Sequence, residues 1–171
     1  MTELWRLSGD ELLARFPTVD AILAIPDQLG LICALRAHVA RDVRGRAEEA
    51  LTEEARTIAH AESVLSVALS GGLSNVVPWN STARVALYVR ALRRIGADST
   101  AAIVADALDL ALAVEAKGDT DHLRTVGDWC AAMGASRFET LSTAFDAVAT
   151  DEVDGQIQEY LWIQRESFRP T

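Results

Sequence analysis

LSGGLSNVVPWNSTARVALYVRALRRIGA, residues Leu69 to Ala97, carries the sharpest punctuation in the chain. An apolar helical pattern runs into Gly71-Gly72, and glycine just past the last turn is a common way for a helix to stop. A compact loop follows, carrying Asn75, Pro78 and Trp79. Asn80 or Ser81 then opens a new helix. Val85, Tyr88, Leu92 and Ile95 recur in it at the spacing of a buried stripe, with Arg84, Arg90, Arg93 and Arg94 mostly off that stripe. Ile95-Gly96 closes this helix, and Asp98 is placed to cap the next one.

The same grammar extends in both directions. Downstream, Ile103, Ala107, Leu108, Ala111 and Leu112 form the inward face of a helix that ends near Gly118. Asp119, Thr120 and Asp121 start another, with Leu123, Val126, Trp129 or Cys130, and Met133 inward. Ser136 and Glu139 have the spacing of a capping box and lead into a stripe of Phe138, Leu141, Phe145 and Val148. Thr150 opens a last helix, with Val153, Ile157, Tyr160 and Leu161 inward and Pro170 past its end. Upstream, Ser8 and Glu11 repeat the capping-box spacing, Pro17 stops a short helix, and Thr18–Ile25 is a further helical turn. Asp27 caps a helix with Leu29, Ile32, Leu35, Val39 and Val43 on one face, ending at Gly45. Arg46–Ser70 reads as one strong helix, with Leu51, Ile58, Leu65 and Leu69 inward. No segment alternates apolar and polar residues, so the expected fold is all-α: a single compact domain of roughly seven to nine helices.

Composition agrees with helix-on-helix packing. Of the 171 residues 29 are Ala, which buries little area and lets helices approach closely. The net charge is −9, and Lys117 is the only Lys. The charge is uneven: residues 1–60 carry ten acids and seven bases, 61–100 two and four, and 101–171 thirteen and five. An acidic final third repels phosphates, which argues against nucleic acid as a direct partner and suits a basic protein. Cys33 and Cys130 sit inside apolar helical patterns, as buried reduced thiols do. The N-terminus lacks a basic region followed by an apolar run, and no apolar run approaches about 18 residues. The expected location is therefore cytoplasmic, away from membranes.

No catalytic set emerges. His38, His60 and His122 stand in no HExxH or paired Glu-x-x-His pattern, so no metal or other cofactor is expected. His60, between Arg56 and Glu62, reads as part of a surface cluster. Gly71-Gly72 follows a helix, where free carbonyls repel anions, whereas phosphate loops place glycine before a helix N-terminus. Ser70, Ser74 and Ser81 lack a GxSxG context and a local base. Trp79 reads first as a plug between helices.

The acids divide into two groups. Asp10, Glu11, Asp98, Asp119, Asp121, Glu139, Asp151 and Glu152 fall near helix starts, where capping and the helix dipole account for them. Asp106, Asp109, Asp128, Asp146, Glu159 and Glu166 fall deeper, where capping does not, and they are candidates for an interaction face. Four of these, Asp106, Asp109, Asp146 and Glu159, are expected to contact a partner, on three separate helices.

At the loop the chain resembles a bacterial domain family of unknown function typified by a DNA-mimic protein. Members read Asn-Gly-Gly-Phe, then Gln, an aromatic or apolar pair, and Asn-Ser or Asn-Gly opening a helix that ends in Ile-Gly-Ala. Here these are Ser70-Gly71-Gly72-Leu73, Asn75, Val76-Val77, Trp79-Asn80-Ser81 and Ile95-Gly96-Ala97. Phe138 to Phe168 resembles the family's closing pattern, around Leu141 and Phe145. The resemblance covers residues 46–168, with 1–45 as additional N-terminal helices. Ser70 and Leu73 depart from the pattern, and the loop is about one residue longer. In these terms the loop motif is Gly71, Gly72, Asn75, Trp79 and Asn80, with glycines for the turn and Asn80 as a cap. The resemblance implies an acidic helical homodimer that is not an enzyme and occupies the DNA-binding face of a basic transcription factor. An alternative is a small-molecule binder or enzyme, its site lined by Asn75, Trp79, Asn80 and Tyr88, with Arg84 for an anionic group. An immunity-type inhibitor would share the acidic-face logic.

Overall fold

A computed structural model describes residues 3–118 and 120–169. The expected helix start at Asp119 and the stop at Pro170 lie outside the described residues. The described residues contain nine α-helices, three short 3-10 turns and no strand, so the fold is all-α. The chain divides into two units, residues 1–59 with 157–171, and residues 60–156.

In the first unit, a 3-10 turn at Leu4–Arg6 leads to α1, Gly9–Arg15. Ser8 and Glu11 form the expected capping box, and Pro17 follows the end of α1. Thr18 caps α2, Val19–Leu23, and Asp27 caps α3, Gln28–Gly45, through the Gly30 N–H at 2.7 Å. Both α1 and α2 pack on α3. Of the stripe expected on α3, Ile32, Leu35 and Val39 are buried, but Leu29 and Val43 are exposed. The helix expected from Arg46 starts later. Residues Glu48–Ala50 make a 3-10 turn, and α4 covers Glu53–Gly71. The Thr52 hydroxyl accepts the Ala55 N–H, which fixes that start. The unit closes with the last turns of α9 and a 3-10 turn at Arg165–Phe168.

In the second unit, α4 runs on to Gly71, followed by α5, Leu73–Val76, and α6, Thr82–Ile95. Gly96 then takes the left-handed conformation at φ +88°, and the Ala97 N–H reaches back to the Leu92 carbonyl at 2.9 Å. This is the glycine-terminated helix end that the Ile-Gly pair predicts. It folds α6 against α7, Asp98–Glu115, in the most extensive helix pairing among the described residues. Val85, Tyr88, Leu92 and Ile95 are buried as expected, facing a core that includes Val104 and Ala107. Leu112, expected inward, is exposed.

The C-terminal elements differ most from expectation. Helix α8 spans Val126–Ala132, later than the Asp119–Asp121 start. Thr125 and Asp128 form its capping box, so Asp128 is a structural cap and not a candidate for an interaction face. Hydrogen bonds from Thr125 and Arg124 lower the Asp128 pKa below the usual carboxylate value, led by the Thr125 side chain. Helix α9 is one continuous element, Ala135–Ile163. Thr150 therefore opens nothing; even Gly155, five residues on, lies inside α9, and the helix runs through. Ser136 is likewise inside the helix, its carbonyl accepting the Thr140 hydroxyl at 3.0 Å, so the second expected capping box does not form.

Candidate functional site

The Gly71–Asn80 loop is built by side chains that reach over its backbone. The Gly72 N–H closes α4 on the Val67 carbonyl at 3.1 Å. Gly72 adopts φ +69° and ψ −165°, a region essentially confined to glycine. A Cβ at Gly72 would also stand 2.7 Å from Asp146 Oδ1, and one at Gly71 would overlap the Asn75 side-chain amide. The atoms in the way are the ends of flexible side chains that can shift, so the firm requirement for glycine is at Gly72, by conformation. Leu73, Val76 and Val77 anchor the loop in the core.

Asn80 does not cap α6. Ser81 does, its hydroxyl accepting the Arg84 N–H at 3.2 Å. Asn80 instead closes the end of α5, donating Nδ2 to the Val76 carbonyl at 2.7 Å and to the Asn75 carbonyl at 3.4 Å. Its Oδ1 accepts the Tyr88 hydroxyl at 3.3 Å. Tyr88 in turn meets the edge of the His60 ring, and Arg84 Nη1 lies 3.3 Å from His60 Nε2. His60 is buried, at 7 % exposure, so the surface-cluster reading is corrected: it lies on the face of α4 turned to α6. Asn80 and Tyr88 thus spend their polar groups on each other and on the loop backbone. That removes the support for a ligand site lined by them.

Trp79 is 67 % exposed, which overturns its reading as a plug. The role is filled by Leu73 and Val76, both fully buried. Leu69, expected inward at the end of α4, is also exposed.

The four acids fall into distinct settings. Asp106 and Asp109 are exposed on α7, one turn apart. Asp98, eleven residues before Asp109, lies three helical turns away on nearly the same line and is exposed as well. Asp146 is exposed on α9, with its carboxylate over Gly72. Glu159 is exposed on the same helix, within the other unit. The four acids therefore come from two helices, α7 and α9, and not from three. The neighbouring α6 shows the opposite sign, with Arg90, Arg93 and Arg94 exposed toward its C-terminal end, where the helix dipole favours cations.

Glu152, expected to serve a helix start near Thr150, caps a remote helix instead. The start of α7 has no side-chain cap of its own, and Asp98 does not supply one. Glu152 on α9 does, accepting the Ser99 N–H at 3.0 Å and the Thr100 N–H at 2.7 Å, with the Thr100 hydroxyl on the same carboxylate. Burial pushes the Glu152 carboxyl up, but the bonds from Thr100 and Ser99 together outweigh it and hold the pKa below the ordinary glutamate value.

The described residues, with the Gly71–Asn80 loop leading into the α6–α7 pair, form an all-α protein. Residues 49–165 match the model of the DMP19-like protein family, and the chain belongs to that family. No curated protein and no solved structure matches the chain. Among the described residues, no helix is long and apolar enough to cross a membrane.

Proposed function

We propose that the chain is a non-enzymatic binding protein that acts as a DNA mimic, covering the DNA-binding face of a basic protein such as a transcription factor. The carrying observation is the face of α7, where Asp106 and Asp109 stand exposed, one turn apart and without an ion pair or hydrogen bond among the described residues. Carboxylates on a rigid helix can take the place of phosphates. They steer a basic partner, gain from counterion release, and weaken as salt rises. The 60–156 unit holds thirteen acids and seven bases, a balance of −6, against twelve and nine, −3, for the rest of the chain. Asp146 beside the loop extends the proposed contact set within this unit, and Glu159, in the other unit, is proposed as a separate partner contact. Exposed Trp79 adds an aromatic side chain of the kind that anchors protein interfaces. The proposal includes a homodimer and a cytoplasmic location. The test is capture of basic DNA-binding proteins by the immobilised chain at about 50 mM and about 500 mM salt. The proposal expects capture that collapses at the higher salt. Salt-insensitive capture, or capture of no basic protein, would remove it.

A further inference from the structure

A cleft of about 600 Å³ opens in the unit formed by residues 1–59 and 157–171. Four stretches of chain meet there: the start of α2, the second half of α3, residues 46–55 and the C-terminal 3-10 turn. Val19, Val39, Leu51, Ala55 and Phe168 give it buried apolar walls. Its polar groups come in both signs. Asp42 is recessed, with 19 % of its side chain exposed, and Arg46 is open to solvent at 58 %. The two stand 3.8 Å apart, longer than the 2.7–2.9 Å of a well-made charged hydrogen bond.

His38 completes the recess. Its Nδ1 lies 2.6 Å from Arg41 Nη2 and so accepts a hydrogen bond, which leaves its proton on Nε2, 3.8 Å from Asp42. Burial pushes the His38 pKa below the ordinary value; Asp42 opposes this, while Arg41 and Arg46 add to it. His38 is therefore neutral near pH 7. The nearby charges are then Asp42 and Glu54 against Arg46, Arg169 and Arg41, the last 3.9 Å from Asp42; Arg169 is itself paired with Glu166 at 3.0 Å and Asp20 at 3.6 Å.

A simple anion in this cleft would meet Asp42, and a simple cation would meet Arg46. A purely apolar molecule would cover both without replacing their water. A molecule with both charges and an apolar body satisfies all three surfaces, and the volume falls within the range of small-molecule sites, roughly 300–1,000 Å³. We infer that the cleft binds a zwitterionic α-amino acid or dipeptide with an apolar side chain. Its ammonium sits on Asp42, its carboxylate on Arg46, and its side chain against Val39, Leu51 and Phe168. Asp42 and Arg46 precede the segment matched by the family model, so the inference stands apart from the mimic reading.

The test is calorimetric titration of the full chain with L-leucine, L-phenylalanine and L-leucyl-L-leucine. N-acetyl-L-leucine, which lacks the ammonium, and L-leucinamide, which lacks the carboxylate, are the controls. At least one zwitterion should bind saturably, with both controls at least about tenfold weaker. The free amino acids and the dipeptide are separate arms, and saturable binding in either supports the inference. Arg46→Ala, at an exposed position, should weaken binding by about tenfold or more while leaving the thermal unfolding midpoint in place. Asp42→Asn should do the same to the ammonium-bearing ligands. No saturable binding of any zwitterion below about 10 mM, equal binding of the controls, or an Arg46→Ala variant that binds like the parent would each overturn it.

Discussion

The α6–α7 pair and the Gly71–Asn80 loop adjoin in sequence but are held together by different means. The pair follows local rules almost throughout: a serine N-cap, apolar positions three and four apart, and a glycine in the left-handed conformation at the turn. The loop is held by one of its own side chains and by others from elsewhere in the unit. Asn75 covers Gly71, Tyr88 meets Asn80, and Asp146, 74 residues away, covers Gly72. Local chemistry can be read from a sequence, whereas a carboxylate laid over a glycine from another helix cannot. The comparison implies that the loop breaks at single atoms, and the pair only where a remote group intrudes.

The largest effect should come from Gly72. Gly72→Ala places a Cβ in a glycine-only conformation and against Asp146, and urea unfolding should register a loss of about 1–3 kcal/mol from the backbone alone. Adding Asp146→Ala should relieve the contact and recover only part of that loss. Full recovery would mean the conformation is not strained for alanine, and no recovery would mean Asp146 does not cover the loop.

Glu152 probes a remote support of the α6–α7 pair. Glu152→Gln should cost about 1 kcal/mol near neutral pH, the size of a lost helix cap. Because its folded-state pKa is lowered, the charge contributes fully above the ordinary glutamate value. That contribution fades as pH falls through the lowered value. The stability difference between parent and variant, followed by denaturation across pH, should shrink toward zero in acid. A gap that stays constant with pH would assign the effect to shape rather than charge.

The smallest effect on stability should be that of Trp79. Its exposed ring predicts a change within about 0.5 kcal/mol for Trp79→Ala, far below the loss expected of a buried plug. A larger loss in the same denaturation experiment would restore the plug reading.

These cases also mark how far the sequence could be read. The all-α fold, the stop at Gly71-Gly72, the end at Gly96 and the inward stripe of α6 were legible because each rests on residues within a turn or two of one another. Thr150 misled because serine and threonine resemble caps wherever they occur, and only a break in the backbone would have ended α9 there. Asp128 was misplaced because the expected helix began too early, hiding its pairing with Thr125. Trp79 and Leu69 show that a large apolar residue in a helical pattern faces the core only if another element covers it. At the candidate face, spacing correctly placed Asp106 and Asp109 side by side. Asp146 and Glu159 depended on tertiary placement, which periodicity does not carry.

The central claim is that the α7 carboxylates recognise a basic partner, and charge reversal tests it most directly. The Asp106→Lys/Asp109→Lys double variant should keep its helical circular dichroism, since both positions are exposed. Its affinity for the basic protein captured by the parent chain, measured by surface plasmon resonance at low salt, should fall by roughly a hundredfold or more. A variant that folds and binds that protein as tightly as the parent would contradict the account.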